Sequence, residues 1–157
     1  MSTEPALEKL YWYAWMILHQ LRDILTQFRS EELSQYGITV AQAAILTNLS
    51  LAEGETTINN LSNSLLKKHH TISTALTRME EKGMIKKSRK HRSDSKYSIT
   101  LTEKGKQACE EAQRGESIYE LMSCLSRDEV MQLSQLLKKI WVRAMEVDVS
   151  RRGFSLP

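Results

Sequence analysis

Nine basic side chains, Lys67, Lys68, Arg78, Lys82, Lys86, Lys87, Arg89, Lys90 and Arg92, share one stretch with only two acids, Glu80 and Glu81. That stretch carries +7, while the other 131 residues, with 13 basic and 17 acidic side chains, carry −4. Three of the four histidines, His69, His70 and His91, fall in the same place. A merely solvated face mixes its signs, so an asymmetry of this kind is the electrostatic footprint of a polyanion binder. Within the stretch, Ile72, Ala75, Leu76 and Met79 recur at helical spacing and define an inward stripe. Thr71, Ser73, Thr74, Thr77 and Arg78 are left on the outward arc. On a helix lying in a DNA major groove, hydroxyls reach base edges, threonine methyls meet thymine methyls, and arginine pairs with guanine. The same hydroxyls would also suit a plain surface; the adjoining basic residues favour the groove. Lys67, Lys68 and His70 at the helix entrance suit phosphates, which fix register. Arg89, Lys90, Arg92 and Lys96 suit a neighbouring minor groove or the backbone.

Other chemistries find little support. The chain has no Gly-rich phosphate loop, no His-Glu-x-x-His and no Gly-x-Ser-x-Gly, so no enzyme and no cofactor are expected. No metal is expected, because His69 and His70 are adjacent and do not share a face at ligand spacing. Cys109, beside Ala108 and Ala112, and Cys124 are expected to be buried and inert rather than redox-active. Two cysteines make no disulfide framework, and no apolar run approaches ~20 residues, so a cytoplasmic protein without membrane contact is expected. The first residues also lack the pattern of a secretion signal.

The elements that must hold these residues are mostly helical. The 157 residues are 41% hydrophobic and 26% charged, with six glycines and with two prolines lying only near the ends, at Pro5 and Pro157. From Ala6 to Ser34, Leu7, Tyr11, Ala14, Leu18, Leu21, Leu25 and Phe28 step by 4 and 3, an a/d seam. Trp12, Trp15, Met16 and Ile24 are apolar off that seam, which predicts burial on two sides, as against a second subunit. Thr39 with Gln42 predicts a capping box opening a helix through Ala43, Ile45, Leu46 and Leu49. Thr56 or Thr57 is expected to cap a short helix carrying Ile58, Leu61, Leu65 and Leu66, with Lys67 to His70 as a polar break. The helix over 71–82 is expected to end with Gly83 at its C-terminal cap. Met84 to Arg89, and Tyr97, Ile99 and Leu101 alternating with polar residues, predict a hairpin whose basic tip spans 89–96. Thr102 is expected to open a helix running through Ala112 towards Met122. Ser126 and Glu129 predict a second capping box, opening a helix with an apolar seam from Val130 to Val147. Residues 150–157 carry no assignable pattern. The expected fold is mainly α with a small β-hairpin wing (α+β), a winged helix-turn-helix between terminal dimerisation helices. Its expected parts are 6–34, a dimerisation helix; 38–105, the winged module; and 106–149, the C-terminal dimerisation helices.

The order of four stretches carries a family resemblance: 38–49 (ITVAQAAILTNL), 71–85 (TISTALTRMEEKGMI), 101–105 (LTEKG) and 125–129 (LSRDE). Over about Glu8 to Val147 the chain resembles the MarR family of winged-helix bacterial transcription regulators. The resemblance implies a homodimer joined by its terminal helices that binds a palindromic double-stranded DNA operator, and the leading expectation is a cytoplasmic regulator that represses. It departs from the family in two places. Asp94-Ser95-Lys96 stands near the family's Asp-x-Arg, which leaves Arg92 for that wing contact, because lysine lacks the planar fork of arginine. Leu66-Lys67-Lys68 stands where the helix-turn-helix commonly has a glycine.

Many proteins resembling this family release DNA on binding a small aromatic or phenolic effector between the dimerisation helices and the winged module. Trp12, Trp15, Met16 and His19 would line such a crevice; alternatively they form dimer and domain core. The rival to a regulator is a winged-helix protein-interaction module with only non-specific DNA affinity.

Overall fold

The computed structural model describes residues 4–52, 56–88 and 97–152. Among them run α1 (Glu4–Ser34), α2 (Val40–Leu51), α3 (Ile58–Ser64), α4 (His69–Glu81), β1 (Ile85–Ser88), β2 (Ser98–Leu101), α5 (Glu103–Gln113), α6 (Glu116–Met122) and α7 (Arg127–Arg152). The chain divides into two compact units, residues 1–117 and 118–157. Mainly helical with one antiparallel hairpin, it is a winged helix-turn-helix.

The first unit is built around one apolar cluster to which α1, α2, α3, α4, β1, β2 and α5 all contribute. Leu33, Ile45, Leu46, Leu61, Leu76, Met79 and Ile99 are its fully buried large side chains. Burying each such side chain contributes about 1.5–3 kcal/mol. Local chemistry fixes where α2 and α3 start. The Thr39 hydroxyl accepts from the Gln42 amide at 3.2 Å while the Gln42 side chain accepts from the Thr39 amide at 3.0 Å. Thr57, not Thr56, caps α3, accepting from the Asn60 amide. Thr56 is buried instead in an isolated bridge, exchanging backbone hydrogen bonds with Ile99 at 3.2 and 2.9 Å. The hairpin thus gains a third backbone partner that local pattern does not reveal. Its own register pairs Ile85 with Leu101 and Ser88 with Ser98.

Left-handed residues fix where helices stop. Gly83 (φ +72°) follows α4, and the Gly83 and Met84 amides close back on the carbonyls of Glu80 and Met79. After α3 the same paired closure is made by Leu66 (φ +50°), whose amide donates to Asn63 while that of Lys67 donates to Ser62. A leucine there costs about 1–2 kcal/mol relative to a right-handed conformation. Leu66 therefore belongs to the turn and not to the apolar face of α3. The polar break is also shorter than expected, because His69 and His70 already lie in α4.

Thr102 joins the wing to α5. Its hydroxyl donates to the Gly83 carbonyl at 2.6 Å and accepts from the Gly105 amide at 3.1 Å. A Cβ on Gly105 would lie 1.9 Å from the Met84 carbonyl oxygen, so only glycine lets α5 approach the backbone just before β1 this closely. The helix expected to run on towards Met122 is broken at Gly115 (φ +64°). Beyond the break, the amides of Glu116 and Ser117 donate to the Glu32 carboxylate at 2.9 and 3.2 Å. Glu32 also pairs with Arg29 and accepts from the Ser117 hydroxyl, and Arg29 donates to the Ala112 carbonyl. Burial pushes the Glu32 carboxyl up, but the Ser117 and Arg29 hydrogen bonds and the Arg29 charge outweigh it and bring its pKa down to about 2. This cluster ties α1 to the end of α5 and replaces, at the start of α6, the missing helical acceptors.

In the second unit, reciprocal bonds between Ser126 and Glu129 form the expected capping box (2.8 and 3.3 Å) at the start of α7. They hold the Glu129 carboxyl below its usual range. Leu136, Leu137, Ile140, Trp141 and Val142 are exposed along α7.

Candidate nucleic-acid interface

Along α4 the inward and outward arcs separate as the spacing requires. Ile72, Leu76 and Met79 are buried and Ala75 is half-buried. Thr71, Thr74, Thr77 and Arg78 are exposed, while Ser73 is half-buried. Three outward hydroxyls already have partners. Thr74 donates to the His70 carbonyl at 2.9 Å, Thr77 donates to the Ser73 carbonyl at 3.1 Å, and the Thr71 hydroxyl hydrogen-bonds His70 Nε2 at 3.4 Å. With its proton spent inside the helix, each of the first two faces outward as an acceptor beside a methyl group. Such a pair suits an amino group on adenine or cytosine, or a thymine methyl.

Lys67, Lys68, His69 and His70 are all exposed at the entrance of α4. Lys68 takes the capping position without a side-chain bond to the helix, so no side chain competes there for the first amides. The positive end of the helix dipole and two ammonium groups thus share one corner of the module, an arrangement that favours a phosphate.

The basic stretch is less uniform than its composition suggests. Lys82 donates to the Gly37 carbonyl at 2.8 Å, bracing α4 against the α1–α2 turn. Lys87, largely buried, pairs with Glu80 at 2.8 Å and ties β1 to α4. Both bonds span elements that sequence spacing does not connect, and no local signal announced them. Arg89, Lys90, Arg92 and Lys96, expected at the wing tip, lie outside the described residues.

Trp12 (67% exposed), Trp15, Met16 and His19 lie on the outside of α1. The expectation that they form part of the domain core is corrected: among the described residues all four are exposed. Cys109 is buried as expected; desolvation pushes its thiol up, with Ser50 opposing and Glu110 reinforcing. It lines a cavity of about 420 Å³ with Leu49, Ser50, Thr100, Leu101, Lys106, Glu110 and Gln113. Cys124, expected to be buried, is exposed in the turn after α6. Among the described residues, no three histidine, cysteine or acidic side chains gather as a metal site would need. None of the described helices is long and apolar enough to cross a membrane.

Residues 27–112, which span the end of α1, the helix-turn-helix, the hairpin and nearly all of α5, match the family model for the transcriptional regulator SarA/Rot. The chain belongs to the SarA/Rot family. A SarA/Rot chain with this architecture is a MarR-like winged-helix regulator of transcription that acts through DNA. The HTH-type transcriptional regulator MgrA of Staphylococcus aureus is 28% identical over 119 residues, which cover 76% of this chain and 80% of MgrA. A mutant MarR from E. coli, solved in complex with operator DNA, is 26% identical with a TM-score of 0.73. The match covers 80% of this chain and 91% of that one. The organohalide-sensing RdhR transcriptional regulator, in its 2,4-dichlorophenol bound form, has a TM-score of 0.80 over 88% of this chain and 83% of its own. At 24% identity that likeness speaks for the fold alone. The family and these relatives are transcriptional regulators, not enzymes.

Proposed function

We propose that this SarA/Rot protein is a cytoplasmic homodimer that represses transcription by reading a palindromic operator. The observation that carries the reading is the outward arc of α4. Thr71, Thr74, Thr77 and Arg78 are exposed opposite a fully buried stripe, with Lys67 and Lys68 at the helix entrance. In this reading α4 enters the major groove, Arg78 takes a guanine, and the threonines read amino groups or thymine methyls. Ser73, half-buried, lines the edge of that contact. Lys67, Lys68 and His70 hold phosphates, and the wing over 89–96, through Arg89, Lys90, Arg92 and Lys96, follows the minor groove or backbone.

A second copy supplies the symmetry. Large apolar side chains are exposed along α1 and, separately, along α7, and large exposed apolar patches mark association surfaces. Residues 6–34 and 106–149 serve as the dimerisation segments and 38–105 as the reading module. Two copies of α4 then meet successive major grooves roughly 34–36 Å apart. A dimer seated over a promoter excludes polymerase, which makes repression the expected sign. Trp12, Trp15, Met16 and His19 line the dimer contact, and a small aromatic or phenolic effector seated among them would shift it.

Footprinting on the protein's own upstream DNA tests the reading. The expected result is one compact, two-fold symmetric protected site, with affinity falling steeply as salt rises because phosphate contacts release counterions. Weak binding without a protected site would favour an assembly module instead. Trp fluorescence during titration with phenolic compounds tests the effector; an unchanged spectrum would remove it.

A further inference from the structure

Among the described residues four adopt a positive φ, and three of them are Gly37, Gly83 and Gly115. The fourth is Leu66, in the turn between α3 and α4. Left-handed backbone favours glycine or asparagine, so a leucine here is strained. Packing within the chain does not compensate: Leu65 packs against the core, but Leu66 is 51% exposed. An apolar side chain that is both strained and half in water works against the free fold twice. An outlier of that kind points to a contact made elsewhere.

The surroundings identify the contact. Leu66 directly precedes Lys67 and Lys68, both exposed, in the most basic segment of the chain. A surface with that charge meets a polyanion, and the apolar part of a DNA backbone is its deoxyribose edge. We propose that Leu66 is a DNA-contacting residue that packs on a deoxyribose face beside the phosphates held by Lys67 and Lys68. The proposal rests on α4 docking in the major groove. It adds an affinity contact that carries no charge.

Three variants of the full chain separate this role from a purely structural one. Leu66→Ala removes the side chain but keeps a residue that dislikes the left-handed backbone. Leu66→Gly removes the side chain and relieves the strain, and Leu66→Met keeps an apolar side chain of similar size. Binding is read by fluorescence anisotropy on the fragment the unaltered protein protects, across a series of salt concentrations. Leu66→Ala and Leu66→Gly should each bind about five- to tenfold more weakly, the scale of losing burial of half a leucine. Both should keep the slope of log K against log salt, because no counterion is involved. Leu66→Met should stay within about twofold, as an apolar swap of equal volume does, and the Tm of Leu66→Gly should equal or exceed that of the unaltered protein.

Unchanged affinity in Leu66→Ala would overturn the proposal, as would a loss confined to Leu66→Gly, which would mark backbone positioning. A shallower salt slope in these variants, or a lower Tm for Leu66→Gly, would overturn it too. If the unaltered protein protects no DNA, the major-groove reading fails first and takes this contact with it. Those two failures are distinguished by the unaltered protein alone.

Discussion

The helices α4 and α1 are both amphipathic, yet their apolar stripes meet different fates. On α4, Ile72, Leu76 and Met79 are covered completely by the first unit's own core. On α1, Leu33 near the C-terminal end is fully buried, while Leu7, Leu10, Tyr11, Trp12 and Trp15 towards the other end are exposed. Periodicity reports that a face is apolar but not what covers it. Coverage from within stabilises the winged module; in the proposed dimer, coverage of the α1 stripe comes from the second copy. The two should therefore respond differently to the same kind of substitution.

The largest effect is expected at the internally covered stripe. Leu76→Ala removes a fully buried side chain and should cost about 2–5 kcal/mol in urea unfolding, with loss of DNA binding. The buried Arg29–Glu32 pair should come next. Glu32→Gln leaves Arg29 without its counter-charge and should cost about 3 kcal/mol. The pair also has a pH signature of known sign. The Glu32 carboxyl falls from 4.5 to about 2 in the folded protein, so its contribution is complete above pH ~4.5. It is lost progressively as pH falls from there through about 2. Urea unfolding of the unaltered protein across this window should show the loss, and Glu32→Gln should flatten that part of the profile. A profile unchanged by the substitution would mean that the cluster does not hold α1 to the end of α5 and to Glu116 and Ser117.

In the proposed dimer, substitutions in the exposed α1 stripe should break assembly rather than the fold. Trp12→Glu should raise the dimer dissociation constant roughly thirtyfold or more, the scale of a buried interface tryptophan. Sedimentation would read this, while the far-UV spectrum of the dissociated chain stays helical. If Trp12→Glu unfolded the chain at every concentration, the contrast between the two stripes would collapse.

What could be read in advance divides along the same physical line. Short-range chemistry was legible: Thr39 with Gln42, Ser126 with Glu129, Thr102 before α5 and Gly83 after α4 each act within a few residues. So was the outward arc of α4, because helical spacing alone fixes it. Bonds between distant residues were not legible. Glu32 reaches Glu116 and Ser117 across more than eighty positions, whereas the break itself had a local signal in Gly115, a left-handed glycine like Gly83, that the expected helix ran past. Thr56 pairs with Ile99, and its hydroxyl merely resembled a cap. Leu66 read as one more apolar residue of α3, although the glycine common at this turn already pointed to the left-handed backbone that Leu66 adopts. Cys124 was expected inside, yet exposure is decided by the turn it occupies.

The smallest expected effect sharpens the comparison within the basic segment itself. Lys87 is held by Glu80, whose own side chain is 42% exposed, so the pair is partly open to water and contributes little to stability. Glu80→Gln should therefore change unfolding by less than about 0.5 kcal/mol. Its effect on DNA should have the opposite sign to that of a lost contact. Removing the carboxylate takes one negative charge from α4 and frees the Lys87 ammonium to meet a phosphate, so affinity should rise and the salt slope should steepen by about one unit. Lys68→Ala supplies the counterpart. It should weaken binding to all sequences alike and make the slope shallower by about one. If Glu80→Gln left both affinity and slope unchanged, Lys87 would be a brace alone, and the reading surface would be confined to charges outside the Glu80–Lys87 tie.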